Sequence, residues 1–285
     1  MYLFDSFQLW RRLVRHEAVS VHFDLGLRAF ETRDMRRVTQ NRIALAMLPE
    51  AGPHSLEYLS LLWRERWLEN KQDEALTIGR QLVERFPEDA DAVLELAQML
   101  TDAGRPDEAS IVLMSGVEKN PGDADLWFEL GLAAERAENE PLRLKSFQEV
   151  WRLEHDEEPD DRLFLSEEAF VRVVEETVEG LPDHVRDVIG NLAVIIEDYP
   201  ERWVVDDGIA DPRILGLFMG SDTSLEGSVE AVSDGPSRIY LYRWNIERQC
   251  PTLEDVEREI RITVLHEIGH YLGLDEEALE ARGLS

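Results

Sequence analysis

Hydrophobic residues recur at helical spacing through the first half of the chain. Between residues 90 and 103, Met99 and Leu100 follow Leu96 by three and four residues, and small alanines lie among them. This spacing gathers the apolar side chains on one face of an α-helix. Pro106, followed by two acidic residues, is typical of a helix start, because proline suits the first turn and acids favour the positive end of the helix dipole. The pattern predicts a series of amphipathic helices.

The helical pattern repeats every 34 residues. Pro87 and Pro121 are 34 residues apart, as are Ala75 and Ala109. A 34-residue period made of two helices is typical of tetratricopeptide repeats, which this segment resembles. We therefore predict an all-α repeat domain over residues 1–154. Its repeats are expected at 18–52 (degenerate), 53–86, 87–120 and 121–154. Such arrays often bind peptides on a concave face, and a spacer or an oligomerisation surface is the alternative.

The character of the chain changes after residue 154. Residues 155–162 are acidic and contain Pro159, which predicts a linker. Ser166 is expected to cap a helix to about residue 179, and a second helix should follow Pro182 to about residue 190.

Short apolar runs follow these helices and predict strands. The runs are Ala193–Ile196 and residues 238–246, and the glycine-rich residues 200–237 between them are expected to form loops. Thr252 is the expected cap of a last long helix that ends near Gly273. The predicted fold class is thus α+β overall, with an all-α repeat array followed by a small α+β domain at 163–285.

The last predicted helix carries a metal-binding pattern. His266 and His270 are four residues apart, so both imidazoles lie on one helix face, one turn apart. Zinc takes imidazole nitrogens at about 2.0–2.1 Å, and this spacing supplies two of them. Glu267, beside the first histidine, can act as general base on a metal-bound water.

A catalytic zinc site needs a third protein ligand. Fifteen residues follow His270 in this sequence, so we expect that ligand within residues 275–277 or upstream. Gly273 can turn the chain back in a left-handed conformation, after which Glu276 can face the metal. Asp275 is the second candidate. Both acids could instead cap and begin a short final helix over 277–282.

Residues 163–285 resemble the minimal zincin-like metallopeptidase family of bacteria, whose active-site helix is similar to that of matrix metalloproteases. The resemblance covers the segments Phe170–Val178, Leu181-Pro182, Ala193–Asp198, Leu215–Phe218, Ser237–Arg243 and Thr263–Leu274. It implies Zn²⁺ as cofactor and hydrolysis of peptide bonds in a peptide or protein substrate. Glu267 would polarise the water and pass its proton to the leaving amine. The family usually has aspartate at the third ligand position, where this chain has Glu276.

The strand predicted at 238–246 suggests how a substrate could bind. An extended peptide could pair with it by β-addition, and an ordinary sheet strand is the alternative. Tyr240 and Tyr242 could bind the substrate by assisting the oxyanion, although aromatic strand residues more often serve packing.

Composition restricts the partners and the compartment. The chain has 60 acidic and 30 basic residues, a formal charge of −30, which argues against nucleic acid as a partner because phosphate binding needs a basic surface. No apolar stretch approaches the roughly 20 residues that cross a bilayer, so we expect no membrane association. Cys250 is the single cysteine, which favours a cytoplasmic, reducing location.

Two functions therefore remain open. The first is a zinc metallopeptidase whose repeats bind a substrate or a protein partner. The second is a non-catalytic repeat adaptor whose metal only stabilises the C-terminal domain. Glu267 favours the enzyme, since a purely structural zinc site has no use for a general base.

Overall fold

A computed structural model describes residues 2–49, 51–155, 165–190, 192–220 and 237–284. The chain divides into two compact units, Met1–Val150 and Trp151–Ser285. Of the predicted linker 155–162, only His155 falls within the described residues, and residues 221–236 of the predicted loop region also fall outside them.

The first unit is built from helices. They are α1 (Tyr2–Glu31), α2 (Met35–Met47), α3 (Leu56–Leu68), α4 (Gln72–Arg85), α5 (Ala90–Asp102), α6 (Pro106–Lys119), α7 (Ala124–Arg136) and α8 (Glu140–Glu154), the last of which continues into the second unit. Each of the ranges 53–86, 87–120 and 121–154 contains one helix pair. Helix α1 is continuous through residue 18, where we expected the degenerate repeat to begin.

Short polar side chains begin the first helix of each pair. The side chains of Ser55, Asp89 and Asp123 accept hydrogen bonds from backbone amides three residues later and so satisfy donors that the helix leaves free. Small residues then let neighbouring helices approach. A Cβ atom on Gly131 would overlap the ring of Phe147, which is 2% exposed, so the small residue common to the repeats is a packing requirement.

The second unit combines helices with a small sheet. Its elements are α9 (Glu167–Glu179), α10 (Asp183–Ile189), β1 (Ala193–Glu197), α11 (Arg202–Asp206), β2 (Gly216–Met219), β3 (Arg238–Tyr242), α12 (Arg243–Gln249), α13 (Leu253–Tyr271) and α14 (Glu276–Glu280). The strand order is β1-β3-β2, with β1 parallel and β2 antiparallel to β3. The predicted fold class, a helical array followed by a small α+β unit, is confirmed.

Two local predictions in this unit were wrong. Strand β3 ends at Tyr242 and helix α12 follows, because buried Asn245 donates to the carbonyls of Pro212 and Ile214 at 3.0 and 2.8 Å and draws the chain away from the strand direction. The predicted loop region 200–237 contains helix α11 and strand β2, which pairs with β3. Both differences arise from tertiary contacts that override local preference.

The core of the second unit fixes the orientation of helix α13. Val256, Ile260, Val264 and Ile268 recur every four residues and pack with one face of the sheet and with α9. His266 follows Val264 by two residues, which is about 200° around a helix of 3.6 residues per turn. The histidine face of α13 is therefore directed away from its core face. Within the described ranges, no helix combines the length and apolarity needed to cross a membrane.

Candidate metal centre

Helix α13 brings His266 and His270 together. Their Nε2 atoms are 2.9 Å apart, and their rings are nearly perpendicular with centroids 4.6 Å apart. The side chains are 22% and 27% exposed, so the pair is partly accessible to solvent. Two ring nitrogens thus point to one common position.

Glu276 completes the cluster from the next helix. Gly273 has φ 79°, and the amide of Leu274 donates to the carbonyl of Gly269 at 2.9 Å, so the chain turns back directly after α13. The Oε1 atom of Glu276 then lies 3.3 Å from Nε2 of His270 and 3.9 Å from Nε2 of His266. Among the described residues these three side chains form a group with metal-ligand spacing.

The other nitrogen of each ring contacts a backbone carbonyl. Nδ1 of His266 is 2.6 Å from the oxygen of Leu284, and Nδ1 of His270 is 3.2 Å from the oxygen of Leu274. A carbonyl oxygen can only accept, so each Nδ1 donates to its carbonyl, and in the neutral ring Nε2 is then the nitrogen available to a metal. The two Nε2 atoms and the Glu276 carboxylate oxygen are therefore the ligand atoms that face one another.

This donor set fits zinc. Ligands at about 2.0–2.1 Å in tetrahedral geometry are separated from one another by about 3.3 Å. The three distances between the donor atoms, 2.9, 3.3 and 3.9 Å, bracket that value. Two imidazoles and one carboxylate are also ligand types that zinc takes in catalytic sites, with one coordination position open.

Asp275 and Glu276 have different roles in the structure. Asp275 is the cap of α14, and its Oδ1 accepts the amide of Ala278 at 2.9 Å. Glu276 is the first residue of α14 and its side chain is 70% exposed on the histidine side. The capping alternative thus describes Asp275, while Glu276 both begins the helix and faces the two imidazoles.

Glu267 is held against strand β2. It is 5% exposed, and its carboxylate accepts a hydrogen bond from the backbone amide of Phe218. A Cβ atom on Gly216 would lie 2.8 Å from its Oε1 atom, so this carboxylate needs a glycine beside it. Burial raises the pKa of Glu267 to about 7, and the charge of His266 and the Phe218 amide act in the opposite direction. A carboxyl with such a pKa can both take and return a proton near neutral pH.

Tyr240 and Tyr242 differ in burial. Tyr242 is fully buried, and burial together with nearby Glu197 raises the pKa of its hydroxyl. Tyr240 is half-buried, with its ring 6.5 Å from that of Tyr242 and 6.1 Å from that of Trp203. A substrate-binding role for them stays a prediction. The hypothesis that a substrate peptide pairs with β3 was wrong. Strands β1 and β2 occupy both edges of β3, which is therefore an ordinary sheet strand.

Sequence reasoning missed the backbone groups of the site. The amide of Phe218 and the carbonyls of Leu274 and Leu284 have no side-chain signature. Gly216 carried a weak signal, since a glycine within an apolar run marks a place of close approach.

Comparisons with known protein families find a repeat segment followed by a metallopeptidase-like segment. The family model described as zincin-like metallopeptidase matches residues 189–284, and the tetratricopeptide repeat model matches residues 67–134. No curated protein matches the chain.

Solved structures similar to the chain include proteins from three bacteria. One is MamA from Desulfovibrio magneticus, with 17% identity over 49% of this chain and 77% of that chain and a TM-score of 0.37. Pseudomonas aeruginosa pilF is 18% identical over 62% of this chain and 82% of that chain, with a TM-score of 0.41. A tetratricopeptide repeat protein from Parabacteroides merdae is 14% identical over 93% and 97% of the two chains, with a TM-score of 0.41.

The match to the metallopeptidase model includes all three residues of the candidate metal cluster. The candidate metal cluster thus lies within the residues that match the zincin-like metallopeptidase model, and the tetratricopeptide repeat match precedes them in the chain.

Proposed function

We propose that this protein is a zinc-dependent peptidase that hydrolyses peptide bonds, and that its repeats bind a protein or peptide. The observation that carries the proposal is the convergence of three metal-ligand side chains beside a buried carboxyl, that of Glu267. A chain with only a structural metal would need the ligands but not the adjacent base.

His266, His270 and Glu276 would hold the zinc ion. When bound, zinc lowers the pKa of a bound water to about 7 and polarises a carbonyl oxygen. The hydrogen bonds from the two Nδ1 atoms to carbonyl oxygens keep both imidazoles in the tautomer that leaves Nε2 free. Three protein ligands leave a position for water, whereas structural zinc sites are usually closed by four.

Glu267 would move the proton in the reaction. Its carboxylate takes a proton from the attacking water and later returns it to the leaving nitrogen. The amide of Phe218 fixes one carboxylate oxygen, so the side chain is already ordered before substrate binds. Its burial excludes bulk water from the base and strengthens its electrostatic interactions.

The substrate would bind along the outer edge of β2. One edge of β2 pairs with β3, and the amide of Phe218 donates to Glu267 instead, so Glu267 lies on the outer side. An extended peptide that adds to this edge by backbone hydrogen bonds would run past the base. This arrangement transfers the β-addition expected for residues 238–246 to the neighbouring strand.

The repeats would supply a partner site. Tetratricopeptide arrays present extended surfaces to peptides and proteins, and a formal charge of −30 disfavours nucleic acid. We also propose a cytoplasmic location, in keeping with a single, buried cysteine thiol at Cys250.

The test combines metal analysis with cleavage of a fluorogenic peptide library by the full chain. We expect one zinc ion per chain and cleavage that is lost in Glu267→Gln, while this variant keeps its zinc. His266→Ala should lose both. Zinc binding without cleavage in the wild type would instead support the adaptor, and equal cleavage by Glu267→Gln would refute the role of the base.

A further inference from the structure

Both candidate zinc ligands on α13 are oriented by the same kind of turn. Nδ1 of His270 meets the carbonyl of Leu274, which follows Gly273, and Nδ1 of His266 meets the carbonyl of Leu284, which follows Gly283. The two glycines have φ of 79° and 71°. Each histidine is thus paired with the residue that follows a left-handed glycine.

The hydrogen bonds within the two turns are also the same. At the end of α13, Gly273 donates to His270 at 2.9 Å and Leu274 donates to Gly269 at 2.9 Å. At the end of α14, Gly283 donates to Glu280 at 2.9 Å and Leu284 to Leu279 at 3.1 Å. These are the paired bonds of a Schellman motif, which ends a helix and fixes the carbonyl beyond it.

Packing attaches the second turn to the histidine helix. Leu279 of α14 is fully buried, and a Cβ atom on Gly269 would overlap its side chain. Gly269 lies between the two histidines on α13. Helix α14 therefore rests on α13 at the level of the site, with Glu276 at its start and the carbonyl of Leu284 beyond its end.

We propose that the Gly283–Leu284 turn is a positioning element of the zinc site, whose carbonyl orients His266 as the Gly273–Leu274 turn orients His270. The inference rests on the proposed zinc site. By accepting the Nδ1 proton at 2.6 Å, the Leu284 oxygen fixes the ring so that Nε2 faces Glu276 and His270. Such partners of ligand histidines typically contribute 10–100-fold to metal affinity.

A glycine at position 283 is what permits the turn. A β-branched residue at φ 71° is strained, whereas asparagine tolerates the left-handed region. Gly283→Val should therefore displace the carbonyl, and Gly283→Asn should keep it in place. A Cβ atom at this position meets nothing within 4 Å, so the change is one of backbone conformation and not of packing.

Gly104 provides a matched control. It has φ 72°, and a Cβ atom there also meets nothing within 4 Å, but it belongs to the repeat unit. Gly104→Val therefore introduces similar backbone strain outside the unit that carries the histidines.

The experiment measures zinc affinity of the full chain by competition with a chelator, and the visible spectrum of the cobalt-substituted protein. We expect Gly283→Val to bind zinc about 10–100-fold more weakly with an altered cobalt spectrum. Gly283→Asn and Gly104→Val should stay within about threefold of the wild type with its spectrum. If the valine variant does not fold, Gly283→Ala, which strains the backbone less, replaces it in both measurements.

Two results would overturn the inference in different ways. If the wild type binds zinc and the strained Gly283 variant binds it equally with the same cobalt spectrum, the turn has no positioning role and the zinc site stands. If the wild type does not bind zinc or cobalt, the proposed zinc site fails and the inference fails with it.

Discussion

Gly216→Ala tests whether the position of Glu267 against β2 matters for catalysis. The added Cβ atom would lie 2.8 Å from Oε1 of Glu267, 2.9 Å from its Cγ and 2.9 Å from Cγ2 of Thr263. Ordinary contacts between such atoms begin near 3.5 Å, so the Glu267 side chain must move by roughly 0.6 Å or more. The Phe218 amide would lose its acceptor in the same movement.

The magnitude follows from this displacement. A catalytic group misplaced by about 1 Å can cost on the order of 100-fold in rate, so we expect kcat/KM to fall by about 10–100-fold. At about 1.36 kcal/mol per factor of ten, this is about 1.4–2.7 kcal/mol of transition-state stabilisation. None of these three contacts involves a candidate zinc ligand, so the affinity for zinc should stay unchanged.

The assay is peptide cleavage by the wild type, Gly216→Ala and a control, with zinc content and thermal unfolding measured on the same samples. Gly122→Ala is the control, because a Cβ atom there meets nothing within 4 Å. Cleavage by Gly216→Ala at the rate of the wild type would show that the position of Glu267 against β2 does not matter for catalysis. A loss of zinc would show that the substitution acts through the metal instead.

Two further predictions concern side-chain roles. Glu276→Gln should weaken zinc binding by at least about tenfold, as measured by competition with a chelator. Asp275→Ser should keep both the helix cap and the zinc affinity. Equal losses of affinity in the two variants would contradict this division of roles. Burial raises the pKa of Glu95 from 4.5 to about 7 despite its ion pair with Arg64, so the folded state favours the protonated form. The contribution of Glu95 to stability is therefore present below pH 4.5 and is lost as the pH rises through 7. Relative to Glu95→Gln the loss should be about 1–3 kcal/mol, as urea unfolding at pH 5 and 8 would measure. Parallel pH profiles for the two proteins would contradict this prediction.

The helical part of the fold could be predicted because it depends on local signals. Ser166 caps α9 and Thr252 caps α13, as their positions before apolar periodic runs predicted. The 34-residue period located the helix pairs, since it reflects contacts that every repeat must make with its neighbour.

The sheet could be predicted only in part. Strand β2 is four residues long, and its pairing with β3 depends on contacts across a chain separation that no local pattern reports. The end of β3 was missed for the same reason: its aromatic and branched residues favour a strand, but the contacts of Asn245 with the carbonyls of Pro212 and Ile214 start a helix.

The side chains of the candidate site could be named from their spacing, but their environment could not. His266 and His270 follow from a helical repeat of four, and Glu276 from the turn at Gly273. In the structure Glu276 lies beside the two imidazoles, whereas the Asp275 carboxylate accepts the amide of Ala278. The carbonyl of Leu284 is a backbone group, identical in every residue, and so carries no sequence signal.

We propose that a zinc ion held by His266, His270 and Glu276 works with Glu267 to cleave peptide bonds. The most direct measurement is the cleavage rate and zinc content of the wild-type chain and of Glu267→Gln in one preparation each. We expect one zinc ion per chain in both proteins and cleavage only in the wild type. A chain that cleaves peptides equally well with glutamine at position 267, or that binds no zinc, would contradict it.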